Sequence, residues 1–232
     1  MFEHSFLAAP ITPGSTIVDL GANSGGFATK MISAFGCAVV GVEPVPELFA
    51  SIPKTPGLTV RQLAVSDTGE PVTLFLNDSS LAATIDADLA QRDVPTIEVP
   101  STTLEQMLDA HDIAHTPLVK VDIEGAELGM LRNASVSTLQ RADQFTIEFH
   151  DFIYAEQARP VAEVKDRLRD AGFVEMRFSS NNSDVLFVNA SRIPFTPAHR
   201  AAAAIAYKYP RGIVRNLQRR LRDRRAAANP AG

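Results

Sequence analysis

Between residues 16 and 188, short apolar runs alternate with segments whose apolar residues recur every three or four positions. Five runs rich in β-branched residues predict buried strands, at residues 16–20, 37–43, 58–65, 117–123 and 144–150. The intervening segments predict helices. In one of them, Val161, Val164 and Leu168 share a helical face and a glycine follows. This pattern is typical of strands that alternate with crossover helices.

Two further segments complete the predicted fold. Residues 176–189 contain two strand-like runs around Asn and Ser residues, which predicts a hairpin. The whole pattern therefore predicts an α/β fold, with a mostly parallel sheet between layers of helices and an antiparallel edge. Residues 70–100 break the alternation, because two short strand-like runs flank a polar stretch. We interpret them as an insertion over the carboxyl edge of the sheet, positioned to contact a substrate, although an ordinary surface hairpin fits equally well.

The composition is that of a globular protein with one main domain: the chain has 232 residues, of which 45% are hydrophobic and 21% are charged. No run approaches the roughly 20 apolar residues that a membrane-spanning helix needs, and the N-terminus lacks the basic region of a signal peptide. Cys37 is the only cysteine, which excludes a disulfide framework and a cysteine metal cluster. We therefore expect a cytoplasmic protein.

An uneven distribution of charge divides the chain into a predicted domain, residues 1–196, and a tail, residues 197–232. The tail carries nine Lys/Arg and one acidic residue, a formal charge of +8. The rest of the chain carries thirteen Lys/Arg and twenty-six acidic residues, a formal charge of −13. Ile213, Leu217 and Leu221 recur at helical spacing among arginines, which predicts a basic amphipathic helix. We expect this helix to contact an anionic membrane, or to dock on its own acidic domain or on a second subunit. Nucleic acid is disfavoured as a partner, because the acidic body would repel it.

The sequence DLGANSGG, residues 19–26, lies between the first predicted strand and the first predicted helix. Glycines there allow a sharp turn and the close approach of a ligand to the backbone. A dinucleotide site would require G-x-G-x-x-G, but Asn23 replaces the second glycine. Instead, the spacing of Asp19, Gly21, Asn23 and Gly25 fits the acidic-x-Gly-x-Gly-x-Gly loop of enzymes that bind S-adenosylmethionine (SAM). We expect Asp19 to hold the ammonium group of SAM, directly or through water. A P-loop is excluded, because no Gly-Lys-Ser/Thr follows.

Glu43 ends the second predicted strand, 22 residues after Gly21. An acidic side chain at this place can accept hydrogen bonds from both ribose hydroxyls of a bound nucleoside. A glycine-rich turn alone is often only a turn, but the turn and Glu43 together favour a nucleoside-type site.

With these features the chain resembles the FkbM family of methyltransferases. The resemblance is carried by DLGANSGGFA, GVEPVPELF, QLAVSDTGE, LVKVDIEGAELGML and IEFH, and it covers about residues 16–188. DLGAN is widespread among methyltransferases, whereas VKVDIEGAE is specific to the family. The resemblance implies a Rossmann-like class I fold with a seven-stranded sheet and helices on both faces. It also implies SAM as the methyl donor and O-methylation of a sugar or polyketide-type hydroxyl.

The resemblance further assigns residues to the SAM site and implies that Asp122 lies beside the methyl group. The residues assigned to SAM are Asp19, Gly21, Ala22, Asn23, Gly25, Glu43, Pro44, Ala64, Val65, Ser66, Asp67 and Asp122. The chain departs from many relatives because it begins almost at the first strand, without their longer N-terminal region. Since that region often shapes the acceptor pocket, the resemblance says least about the acceptor.

Four polar residues lie at the carboxyl ends of the two central predicted strands, Asp122 and Glu124 at one and Glu148 and His150 at the next. Since ligands of open α/β sheets bind beyond the carboxyl ends of the strands, we expect these side chains to meet beside the SAM sulfur. Glu148 and His150, two residues apart in a strand, should point to the same side. Glu124 could also simply cap the next helix. Lys120 lies in an apolar strand and needs a carboxylate partner, for which Glu148 is a candidate.

A hydroxyl group is a weak nucleophile until its proton is removed, and a histidine with a pKa near ~6.5 can accept that proton. We expect His150 to be the general base, Asp122 to orient the acceptor or the SAM amine, and Glu148 to hold the imidazole. In a less favoured alternative, Asp122, Glu148 and His150 bind Mg²⁺ or Mn²⁺, which lowers the pKa of the hydroxyl. Two competing functions are a non-catalytic SAM-fold partner protein and a nicotinamide oxidoreductase. The acidic cluster with His150 argues against the first, and Asn23 argues against the second.

Overall fold

The computed structural model describes residues 4–76, 83–87, 90–91, 93–151, 155–179 and 182–194. The strands are β1 (Thr16–Leu20), β2 (Ala38–Val42), β3 (Leu58–Arg61), β4 (Ala64–Val65), β5 (Val72–Leu76), β6 (Ala83–Thr84), β7 (Thr96–Val99), β8 (Ser101–Thr102), β9 (Val119–Val121), β10 (Gln144–Ile147), β11 (Phe173–Arg177) and β12 (Val185–Asn189). The helices are α1 (Gly26–Phe35), α2 (Pro46–Ser51), α3 (Leu104–Ala110), α4 (Glu127–Asn133), α5 (Val136–Leu139) and α6 (Ala158–Asp170), with a 3₁₀ turn at Ala155–Gln157. None of the described helices is long and apolar enough to cross a membrane. The predicted tail, residues 197–232, lies outside the described residues.

Seven strands form one sheet in the order β11-β12-β10-β9-β1-β2-β3. The strands from β10 to β3 are parallel, whereas β12 is antiparallel to both β10 and β11. The predicted α/β fold, with a mostly parallel seven-stranded sheet and an antiparallel C-terminal hairpin, is therefore confirmed. The strand order reverses between β1 and β9, so the carboxyl ends of these two strands flank the crevice in which ligands of such sheets bind.

Helices cover both faces of this sheet. On one face, Val18 and Leu20 of β1 belong to a buried cluster that includes residues of α3, α4 and α6. On the other face, Ile17 of β1 and Val39 of β2 pack with residues of α1. Successive residues of a strand point to opposite sides, so one apolar run supplies the core of both faces. This explains why the parallel strands are continuously apolar in the sequence.

Residues 70–100 contribute strands outside the main sheet. β5 pairs antiparallel with β7 and with β6, and on either side of this segment β4 pairs parallel with β8. Leu74 of β5 and Val99 of β7 are buried in one cluster with Val45 and Ala64, which follow β2 and β3 respectively. The segment is therefore anchored by apolar packing beside the carboxyl ends of β2 and β3.

Candidate active site

The turn between β1 and α1 is pressed against the loop that follows β9. Gly21 has a φ of 81°, and a Cβ atom at this position would lie 1.8 Å from the carbonyl oxygen of Asp122. Only glycine fits such a close approach. Asn23 has a φ of 50°, which asparagine tolerates better than most residues. The backbone geometry thus explains both the glycine and the asparagine of this turn.

Glu43 follows β2 and is fixed by two backbone groups. Its Oε2 accepts a hydrogen bond from the N–H of Asn23 at 2.7 Å, and its Oε1 accepts one from the N–H of Val45 at 2.9 Å. Burial raises the pKa of Glu43, whereas the two N–H groups favour its charged form. Each carboxylate oxygen keeps a second lone pair, so Glu43 retains the capacity to accept the ribose hydroxyls predicted for it.

A cleft with about 590 Å³ of empty space lies between this turn, Glu43 and the loop after β9. The apolar residues that line it are Val42, Val45, Leu48, Leu63, Leu74, Ala83 and Ile85. Of the residues predicted to bind SAM, Gly21, Asn23, Glu43, Pro44, Ala64, Val65 and Asp122 line it as well. Ala22 lines a neighbouring cleft beside α1, and Ser66 lines another beside α4.

Lys120 of β9 forms ion pairs with two carboxylates. Its Nζ lies 3.2 Å from Oδ1 of Asp19 and 3.4 Å from Oδ2 of Asp122, and it donates a hydrogen bond to the carbonyl oxygen of Gly21 at 2.8 Å. These partners correct the prediction that Glu148 pairs with Lys120. The physical reason is the register of the sheet, because Asp19 lies opposite Lys120 on the adjacent strand β1. Burial opposes the charge of Lys120, but the two carboxylates raise its pKa.

The two carboxylates beside Lys120 differ in exposure. Asp19 is fully buried and does not line the cleft, so its predicted contact with the SAM ammonium, directly or through water, stays a prediction. Burial raises the pKa of Asp19, and Lys120 opposes this change. The side chain of Asp122 is 26% exposed; burial opposes its ionisation, but Lys120, His4 and His150 hold its pKa well below the usual range. Asp122 is therefore the accessible, ionised member of the pair.

His4 belongs to the same site, although nothing in its sequence context indicates it. Its Nε2 lies 3.4 Å from Oδ2 of Asp122, and only 3% of the residue is exposed. The imidazole ring meets the ring of Phe27 edge-on, with 5.9 Å between centroids. A single histidine before the first strand carries no periodicity and no spacing rule, so only the folded chain shows its position.

His150 contacts two glutamates of the loop after β9. Its Nε2 lies 3.2 Å from Oε2 of Glu124, and its Nδ1 lies 3.4 Å from Oε1 of Glu127. These partners correct the prediction that Glu148 holds the imidazole. Because β10 ends at Ile147, the alternation of a strand does not extend to His150.

The surroundings of His150 favour its protonated form. Burial lowers its pKa, but the hydrogen bond and charge of Glu127 outweigh burial, and Glu124 and Asp122 add to the effect, so that the pKa rises to about 9. At neutral pH the imidazole therefore carries a proton. A general base must be deprotonated, so the protonated imidazole is the opposite of the state that the sequence analysis expects for His150.

Glu127, the first residue of α4, bonds to the loop that precedes the helix. Glu127 is buried and accepts hydrogen bonds from the N–H of Ile123 at 3.1 Å and of Gly125 at 2.9 Å. Glu124 instead has a φ of 49°, a conformation that is uncommon outside glycine and clusters at functional sites. Its side chain is 37% exposed and lines the cleft. No side chain caps α4 at its N-cap residue Ala126, so the capping role considered for Glu124 is not observed.

Glu124 has a pKa near neutrality. Burial raises this pKa; His150 opposes the change, but the negative charges of Asp122, Glu127 and Glu148 reinforce it, and the pKa reaches about 7. The pKa of Glu148 is also raised, by burial and by Asp122. The carboxylates after β9 and β10 thus repel one another across a small, half-buried space.

Two groups of three side chains among the described residues bring potential metal-binding atoms within 4.8 Å of one another: His4, Asp122 and Glu148, and Asp122, Glu124 and His150. Neither is the combination of Asp122, Glu148 and His150 considered from the sequence. Both groups include Asp122, whose Oδ2 already lies 3.4 Å from the ammonium of Lys120. Repulsion from this ammonium would oppose a metal ion bound at Asp122.

Comparison with known families gives one match. A model of the methyltransferase FkbM domain matches residues 19–175, which is more than half of the chain and includes the turn, Glu43 and the loop after β9. No curated protein sequence matches the chain.

Several solved structures resemble the fold at low sequence identity. Fibrillarin from Aeropyrum pernix, in complex with natively bound SAM, is 12% identical with a TM-score of 0.43, over 77% of this chain and 67% of fibrillarin. Precorrin-6y C5,15-methyltransferase from Geobacter metallireducens is 10% identical with a TM-score of 0.42, over 78% and 81% of the two chains. A human methyltransferase 10 domain containing protein is 11% identical with a TM-score of 0.43, over 79% and 73%.

Proposed function

Because the chain belongs to the methyltransferase FkbM family, we propose that this SAM-dependent methyltransferase acts on a hydroxyl oxygen of a small-molecule, sugar or polyketide-type acceptor. The observation that carries the proposal is Glu124, a carboxylate that lines the cleft and has a pKa of about 7. A hydroxyl acceptor needs such a group, because its proton must leave as its oxygen attacks. SAM supplies an electrophilic methyl group on a positively charged sulfur.

The proposed cofactor site combines Glu43 with the apolar walls of the cleft. Glu43 would accept the ribose hydroxyls, since two backbone N–H groups already hold its carboxylate in place. Leu48, Leu63 and Leu74 offer apolar surface for the adenine ring. Asp122, ionised and partly exposed, would accept a hydrogen bond from the ammonium group of the cofactor. The residues of the cleft therefore fit the ribose, the adenine ring and the ammonium group of SAM.

The proposed general base is Glu124 rather than His150. A base whose pKa lies near the working pH combines a sufficient fraction of the deprotonated form with a useful proton affinity. Glu124 meets this condition, whereas the raised pKa of His150 keeps the imidazole protonated. In this scheme the proton passes from the acceptor hydroxyl to Glu124 while the oxygen–methyl bond forms and the sulfur–methyl bond breaks. His150, 3.2 Å from Glu124, orients the carboxylate and favours its ionised form.

The proposed mechanism uses no metal ion. The Lys120 ammonium lies within 3.4 Å of Asp122, where it already neutralises the carboxylate that both candidate groups share. A non-catalytic role is also disfavoured, because a partner protein would not require Glu124, a half-exposed carboxylate in an uncommon backbone conformation, beside a cofactor cleft.

Product analysis tests the acceptor class. The full chain is incubated with SAM that carries an isotopically labelled methyl group and with pairs of matched acceptors: methyl glycosides and the corresponding amino glycosides, and phenols and the corresponding anilines. We expect labelled O-methyl products, formed equally well in the presence of EDTA. Products labelled only on nitrogen would contradict the proposed acceptor. Activity lost with EDTA and restored by Mg²⁺ or Mn²⁺ would show that the metal-dependent alternative is correct.

A further inference from the structure

Residues 4–7 form a segment that is hydrogen-bonded to β10 and to Asp184, the residue before β12. The N–H and the Oγ of Ser5 donate hydrogen bonds to the two carboxylate oxygens of Asp184, at 2.9 and 2.6 Å. The side-chain amide of Gln144 accepts a hydrogen bond from the N–H of Leu7 at 2.8 Å and donates one to its carbonyl oxygen at 2.9 Å. Gln144 is fully buried in β10, and its side-chain amide makes the pair of hydrogen bonds that the backbone of an adjacent strand would otherwise make. The chain is therefore fixed directly after His4.

This segment brings His4 to Asp122. The imidazole is almost fully buried, its Nε2 lies 3.4 Å from Oδ2 of Asp122, and its Nδ1 has no hydrogen-bond partner among the described residues. Burying a polar ring is unfavourable unless its polar atoms are satisfied. The contact with Asp122 is thus the interaction that accounts for a histidine, rather than an apolar residue, at this position.

We propose that His4 is a positioning residue of the SAM site, an inference that rests on the proposed role of Asp122 in binding the cofactor. Nε2 of His4 and Nζ of Lys120 lie at the same oxygen, Oδ2 of Asp122, each at 3.4 Å. Two donors on one oxygen fix the rotation of the carboxylate and leave Oδ1 to accept from the ammonium group of SAM. A segment outside the strands and helices thereby completes the cofactor site.

Two substitutions separate this role from simple packing against Phe27. His4→Phe keeps an aromatic ring beside Phe27 but removes the donor. His4→Gln keeps an N–H donor at a similar distance from the backbone but removes the ring. If His4 positions Asp122 through its hydrogen bond, His4→Phe is the damaging change and His4→Gln is the mild one. If His4 only packs, the order is reversed.

The test is calorimetric binding of S-adenosylhomocysteine to the full chain, which needs no acceptor. We expect His4→Phe to weaken binding about tenfold, the usual effect of losing a hydrogen bond to a charged group, and His4→Gln to change it by less than about threefold. In the Asp122→Ala background, His4→Phe should add no further loss, because its partner is already absent. Urea unfolding of each variant measures the folded fraction. The matched control is His115→Ala, which removes a histidine that pairs with Asp143 at the amino ends of β9 and β10.

Unchanged affinity in His4→Phe would overturn the inference, as would equal losses in His4→Phe and His4→Gln. Wild-type affinity in Asp122→Ala would also overturn it, because the inference requires Asp122 to touch the cofactor. These outcomes are distinct from failure of the proposed acceptor class. An enzyme that methylates only amines, yet shows the expected binding pattern, would retain the role of His4 and lose the hydroxyl acceptor.

Discussion

The proposed cofactor end and the proposed catalytic end of the cleft each have carboxylates in or beside them, but the partners of these carboxylates act in opposite directions. At the cofactor end, Glu43 accepts two backbone N–H groups and Asp19 faces Lys120, so the partners of both favour the charged form against burial. At the catalytic end, other carboxylates reinforce the effect of burial on Glu124, and His150 opposes them.

This difference separates binding from proton transfer. A carboxylate held in place before the ligand arrives, such as Glu43, binds without a cost of rearrangement. A carboxylate near its own pKa, such as Glu124, changes its protonation state with little change in free energy. The two ends are rigidly connected, because the turn at Gly21 abuts the backbone of Asp122. One cleft therefore offers both a fixed site for the donor and a titrating group for the acceptor.

The largest effect is expected at the catalytic end. Glu124→Gln keeps the size of the side chain but removes its ability to accept a proton, so kcat for a hydroxyl acceptor should fall about 10²–10⁴-fold, the usual contribution of a positioned base. Wild-type kcat should rise with pH as Glu124 ionises near pH 7, and should fall above about pH 9 as His150 loses its proton. The acid limb should disappear in the variant. Glu98→Gln, an exposed surface change, is the control.

The same pH profiles compare the two candidate bases. If His150→Ala removes the acid limb while Glu124→Gln retains it, the base is His150, as the sequence predicts, and Glu124 is its partner. A retained wild-type kcat in Glu124→Gln would likewise exclude Glu124 as the base.

A loss of stability is expected at the cofactor end. Lys120→Met leaves Asp19 buried without its cation, and breaking a buried ion pair from one side destabilises a protein by about 3–5 kcal/mol. Urea denaturation at pH 7 measures the change in the free energy of unfolding. The double variant Asp19→Asn with Lys120→Met removes both charges and should recover part of the loss. A loss below about 1 kcal/mol in Lys120→Met would show that the pair contributes little.

A smaller effect is expected for Glu43. Glu43→Ala removes both acceptors for the ribose and should weaken the binding of S-adenosylhomocysteine about tenfold or more. Wild-type protein at one hundred times the dissociation constant should gain about 2.7 kcal/mol in unfolding free energy, and the variant should gain less at the same ligand concentration. Calorimetry and thermal unfolding measure the two quantities. Unchanged affinity in Glu43→Ala would remove Glu43 from the cofactor site.

The parts of the molecule that follow from local pattern could be predicted from the sequence. The parallel strands appear as apolar runs, because each is buried on both faces. The turn at Gly21 and the acidic residue at Glu43 follow from spacing along the chain, because each lies at the end of a strand whose position the pattern already defines.

The partners within the site could not be predicted, because they depend on register and on contacts between distant residues. Lys120 pairs with Asp19 only because β1 and β9 are adjacent in that register. His4 and Asp122 meet across more than one hundred residues. Glu124 adopts a left-handed backbone conformation, which its residue type does not signal.

The smallest effect concerns the free energy of unfolding that is lost when Glu124 ionises in the folded protein. The folded-state pKa of Glu124, about 7, lies above the ordinary value of 4.5, so the folded protein favours the neutral form. Stability is therefore lost as the pH rises from about 4.5 through about 7, and Glu124→Gln, which stays neutral, avoids this loss. We expect the variant to be more stable than the wild type at pH 8 and equal to it near pH 4.5. Since 37% of the side chain is exposed, solvent screening limits the gain to less than about 1 kcal/mol. Thermal unfolding at both pH values, with Glu98→Gln as the reference, measures the difference. A variant that is no more stable than the wild type at pH 8 would show that neighbouring charges do not strain Glu124, and the contrast between the two ends of the cleft would then be lost.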